Sequence, residues 1–149
     1  MRRARLWIPI AFAVFVFLAL SALLARGLSG TGTEREEVIE LLRAQARGDA
    51  AGVLAVLPAC RAEPACAETT RERVARLRAP GAVQVLSYTP STRIALTRRI
   101  GTARVAWRAG TALPVVQCVC VRREGALSGG GVELLSISAP IAREGSCDR

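Results

Sequence analysis

The chain has 149 residues, 51% of them hydrophobic and only 4% aromatic, with a formal charge of +9. All 21 basic residues are Arg, and Lys, His and Asn are absent. Without His there is no Ser-His-Asp or Cys-His nucleophile pair and no imidazole metal ligand. Without Lys there is no Schiff base and no Walker-type phosphate loop.

In chain order, residues 1–5 carry Arg2, Arg3 and Arg5, and Leu6 to Ala25 then form an apolar run without a charge. About twenty apolar residues is the length a helix needs to cross a bilayer core. Pro9 falls in the first turn, where its missing N–H has no helical partner anyway. The run therefore predicts a transmembrane signal anchor over residues 6–25, with the membrane as its partner. Three Arg before the run and only Arg26 close after it place the N-terminus in the cytoplasm and the rest outside. The competing reading is a cleaved signal peptide, which has a shorter apolar core and a small-x-small exit. Leu23-Leu24-Ala25 fits that exit poorly. Both readings export the remainder, and all five cysteines lie in it, where an oxidising compartment permits disulfides.

Residues 26–33, with the GLSGTGT stretch from Gly27, read as a flexible tether. Residues 34–149 are enough for one domain with a core and too few for two. Thr33-x-x-Glu36 matches a capping box, and Val38, Ile39, Leu41, Leu42 and Ala46 form an apolar stripe, so a first helix is expected there, ending at Gly48. Asp49 caps a short second helix over Ala50 to Leu57, stopped at Pro58. A third is expected from about Thr70 to Arg78, with Thr69-x-x-Glu72 as its capping box and Pro80-Gly81 as its terminator.

The period then changes. Val83 to Tyr88, Arg93 to Thr97, Thr102 to Arg108, Val115 to Arg123 and Val132 to Ser138 are β-prone runs separated by Pro or Gly turns. Ala103, Val105 and Trp107 share one face, Arg104 and Arg108 the other. The expected fold class is α+β: after the transmembrane helix, three helices packed on a curved antiparallel sheet of four to five strands. This order, with VIELLRAQARGDAAGVLAVL and the closing VELLSISAPI, resembles the NTF2-like (cystatin-like) cone fold over residues 34–141. The resemblance implies either a small-molecule isomerase or dehydratase, or a non-catalytic exported domain. Enzymes of that family work through His, Asp and Tyr in the cone. This chain has no His and only Tyr88 as a tyrosine, which points to the non-catalytic branch.

Cys60 and Cys66 bracket a short loop holding Pro64, and are expected to form a structural disulfide. Cys118 and Cys120 lie two apart on one strand, with Cα atoms nearly 7 Å apart, too far to pair easily with each other. Cys147 can fold back to either, and Cys118 is the preferred partner. The remaining thiol is a buried free Cys or a bridge in a homodimer, with burial favoured. No zinc site is expected from these three cysteines, which lack a fourth ligand, and no cofactor is implied. Arg71, Arg73, Arg76, Arg78 and the Arg98-Arg99 pair read as a solvated face. Nucleic acid is a poor partner for an exported domain with only Trp107 and Tyr88 to stack. Glu36, Glu37 and Glu40 read as helix caps and surface. Trp107 most simply fills the core, and Trp107, Tyr88 and Glu133 are the members of any pocket, Glu133 being the best-placed carboxylate for acid-base work. The expected function is a non-catalytic binding module for a partner protein or an apolar small ligand. A structural component of an envelope complex and a carboxylate- or thiol-dependent enzyme are the alternatives.

Overall fold

The first helix does not begin at the Thr33 capping box. In the computed structural model, which describes residues 2–91, 97–125 and 131–147, α1 runs without a break from Arg2 to Arg47. The GLSGTGT stretch expected as a tether is part of that helix. Carrying the helix through joins two helix-forming runs without leaving four unsatisfied N–H and four unsatisfied C=O groups at two extra ends.

Side chains of α1 are described for residues 10–25 and from residue 32 onward. The first of these stretches stands largely exposed, with Phe12 at 68% and Phe15 at 70%. Among the described residues no helix is long and apolar enough to cross a membrane, and the transmembrane span expected over residues 6–25 is not supported.

The second half of α1 enters the fold. Val38, Leu41, Leu42 and Ala46 are buried, as the stripe requires, while Ile39 is only half-buried. Gly48 ends the helix at φ 76°. The amides of Gly48 and Asp49 return to the carbonyls of Gln45 and Ala44, a Schellman closure that needs a residue tolerant of positive φ. Asp49 then caps α2 (Ala50–Val56) by accepting from the Gly52 amide at 2.8 Å.

Next come α3 (Pro58–Ala62) and α4 (Pro64–Leu77), each with Pro at its start, where its fixed φ suits the first turn. The helix expected from Thr70 thus begins six residues earlier. The Thr69 hydroxyl donates back to the Ala65 carbonyl within the helix instead of capping it.

Among the described residues four strands follow: β1 (Val83–Thr89), β2 (Arg99–Ala109), β3 (Val115–Arg123) and β4 (Val132–Ile137). They pair as an antiparallel meander in sequence order. The strand expected over Arg93 to Thr97 lies outside the described residues except for Thr97, which is a bend. Register shifts between Val85 and Ser87 and between Cys120 and Val121 mark bulges that bend the sheet. Its inner face presents Ala103, Val105, Trp107, Val119, Val121 and Leu134 to Val38, Leu41, Leu42, Val53 and Leu57 of the helices. Gly81, at φ 111°, lets the α4–β1 link pass against Gly110; a Cβ there would lie 2.7 Å from the Gly110 Cα.

Candidate functional site

Two polar groups of atoms lie inside the helix–sheet interface. The first centres on Glu34, which is fully buried on the same α1 face as Val38, Leu41 and Leu42. Its Oε2 accepts from Arg123 Nε and from the Ser91 hydroxyl, both at 2.7 Å; its Oε1 accepts from the Ser91 amide at 2.9 Å and the Tyr88 hydroxyl at 2.5 Å. Burial pushes the Glu34 carboxyl pKa up, but the bonds from Ser91, Tyr88 and Arg123 outweigh it and hold the group below its ordinary range. Tyr88 is driven the other way, by burial first and then by donating to the Glu34 carboxylate. A carboxylate that is ionised and accepts four hydrogen bonds has no proton to give and little basicity to take one. The cluster ties α1 to β1, the loop at Ser91 and β3.

The second group surrounds Trp107, 2% exposed in the core. Its indole N–H donates to Gln117 Oε1 at 2.8 Å, and Gln45 Nε2 donates to the same oxygen at 2.9 Å. Gln117 Nε2 in turn donates to the Ser138 carbonyl. The middle of the interior is therefore filled by an aromatic ring and an interlocked pair of amides.

The residues expected to share a pocket are not brought together. Trp107 lies in the core and Tyr88 at the α1–sheet seam. Glu133 pairs with Arg122 at 2.8 Å, on the strand face opposite Val121 and Arg123, half-exposed. Glu34 and Arg123, a buried ion pair of the interior, are not singled out by motif or spacing. The signal was there as an acid at a core position of a helical stripe, and an Arg in phase with Gln117, Val119 and Val121 on the inward side of a strand.

The outer sheet face carries the cysteine chemistry. Cys118 and Cys147 are joined, with Cα atoms 5.7 Å apart, as are Cys60 and Cys66, at 5.2 Å. The Thr70 hydroxyl lies 3.3 Å from Cys60 Sγ and donates to it. The Cys118 bridge draws the C-terminal tail back over the sheet, where Arg104 donates to the carbonyls of Arg143 and Gly145. Cys120 is the free thiol. It is half-exposed and lines a groove of about 510 Å³ with Ile100, Thr102, Cys118 and Ser136. Burial, favoured for the fifth cysteine, is thus incomplete. No group of three or more His, Cys, Asp or Glu side chains suited to a metal occurs among the described residues.

Of the Arg-rich surface, Arg71 and Arg76 pair along α4 with Glu68 and Glu72, and Arg98 pairs with Glu124. Arg73 turns inward and donates to the Ile137 carbonyl, covering the end of β4; burial lowers its pKa. At the C-terminal end of α1, Arg43, Arg47 and Arg78 line a cavity of about 830 Å³.

Comparison of the chain with protein-family models, with curated proteins and with solved structures finds no match.

Proposed function

We propose that residues 34–147 form an exported, non-catalytic binding module of NTF2-like architecture, acting on a partner protein through the outer face of its sheet. The observation that carries this reading is the state of the interior. The space where a catalytic or small-ligand pocket would open holds Trp107, Gln45 and Gln117, and Glu34, the one buried carboxylate among the described residues, is neutralised by Arg123 and held by three further hydrogen bonds. The order of helices followed by a bent four-strand meander supports the NTF2-like assignment. Two disulfides support an oxidising compartment outside the cytoplasm.

With its interior occupied, the domain offers its outer sheet face, where Leu86 is 50% and Ile100 63% exposed and the groove beside Cys120 opens. A photo-reactive residue placed at Ile100 in cells should give one discrete adduct with a protein partner, and the same residue at Arg76 on α4 should not. Equal, diffuse labelling from both positions, or turnover of a small substrate that disappears in Glu133→Gln, would contradict the reading.

A further inference from the structure

We propose that the cavity at the C-terminal end of α1 is a binding site for a phosphate ester, independent of whatever the sheet face binds. Three arginines reach it from two elements: Arg43 and Arg47, one turn apart on α1, and Arg78 from the link between α4 and β1. No carboxylate lines the cavity.

Arginines at a helix C-terminus commonly satisfy its last carbonyls and its dipole. Here three of the last four carbonyls are already taken by backbone donors: Ala44 by Asp49, Gln45 by Gly48 and Ala46 by Ala79. The guanidiniums are therefore not spent as caps. Arg47 has a loose ion pair with Asp49 at 3.9 Å, while Arg43 and Arg78 have none among the described residues.

One wall of the site is built in advance. The stem of Arg78 lies against Gly48, so closely that a Cβ on that glycine would meet its Cδ at 2.9 Å. The link that carries Arg78 is fastened on one side by the Ala79 amide to Ala46 and on the other by the Gly110 amide to Ala82. Holding the Arg78 stem in place lowers the ordering cost of using that long side chain on binding. Three forked cations around one space match the three outer oxygens of a tetrahedral dianion better than the planar pair of a carboxylate. Ala79, Pro80 and Val83 supply an uncharged wall for the body of the ester.

Calorimetric titration of the full chain with glycerol phosphate at low ionic strength tests the site. The expected result is saturable one-to-one binding, weakened at least about tenfold in Arg43→Gln/Arg78→Gln, which keeps most of each stem while removing two charge-assisted partners. Arg71→Gln/Arg76→Gln, which removes the same charge from α4, should leave the affinity within about twofold. A poly(glycerol phosphate) chain, whose diester phosphates carry one charge and two outer oxygens each, is run in parallel. Weaker binding per phosphate than the monomer supports a site for a monoester dianion, and equal or tighter binding by the polymer would overturn it. No saturable binding, equal losses in the two double variants, or equal affinity for glycerate would overturn it.

Discussion

Glu34 and Arg123 stand 89 positions apart in the chain and 2.7 Å apart in the fold, with side chains 0% and 4% exposed. Such a pair adds modest net stability against an apolar replacement, but breaking it strands a charge in the core. Arg123→Met should therefore destabilise the protein by about 3–5 kcal/mol. Glu34→Leu/Arg123→Met should recover a large part of that loss. Chemical denaturation of the two singles and the double gives the coupling directly, and additive losses would show that the pair does not act as a unit.

The same cluster sets the pH response. Because the Glu34 carboxyl is held below its ordinary value of 4.5 in the folded state, its contribution is present above that pH and lost as pH falls through the folded value. Tyr88 is held above its ordinary 10.0, so its contribution is complete below pH 10 and declines as pH rises beyond it. Thermal unfolding across pH should show an acid limb that flattens in Glu34→Gln and an alkaline limb that flattens in Tyr88→Phe.

In the middle of the core, Gln117 holds two donors with one oxygen. Gln117→Leu leaves the Trp107 indole N–H and the Gln45 amide without that acceptor, and should cost about 2–4 kcal/mol, the desolvation of two buried donors. Trp107→Ala removes the largest side chain of the core and should cost about 3–5 kcal/mol. Both follow from denaturation midpoints, and a Gln117→Leu variant of unchanged stability would mean that the amide network contributes nothing net.

The two disulfides should differ in effect. Their partners are 29 positions apart for Cys118–Cys147 and 6 for Cys60–Cys66. Loop-closure entropy predicts a loss of about 3.6 kcal/mol for the first and about 2.2 for the second. Paired Cys→Ser variants compared by denaturation test the order, and a larger loss for Cys60/Cys66 would assign its role to the Thr70 contact and α3–α4 packing instead.

Local signals were legible where one residue decides the outcome. Gly48 and Asp49 close α1 and open α2 as their backbone freedom and capping oxygen require, and the alternation through Ala103, Val105 and Trp107 gives the inner face of β2. Boundaries were less so. Thr33 and Thr69 both carry a capping-box pattern that goes unused, because Pro64 starts a helix earlier and α1 passes through a glycine-rich stretch with helix on either side. The Glu34–Arg123 pair was hidden for a different reason. A single acid in a stripe and a single Arg in a strand gain meaning only when the sheet brings them together across most of the domain.

The central claim is that the helix–sheet interior is core and not cavity. Trp107 reports on it directly, in a Trp7→Phe background, during titration with a graded series of apolar ligands. The account predicts an unchanged, blue-shifted emission throughout, because Gln45 and Gln117 already occupy the ring's polar edge and Leu41 and Leu42 lie in the core cluster around it. A saturable shift or quenching of Trp107 by any member of the series would contradict it and return the interior to the role of a ligand pocket.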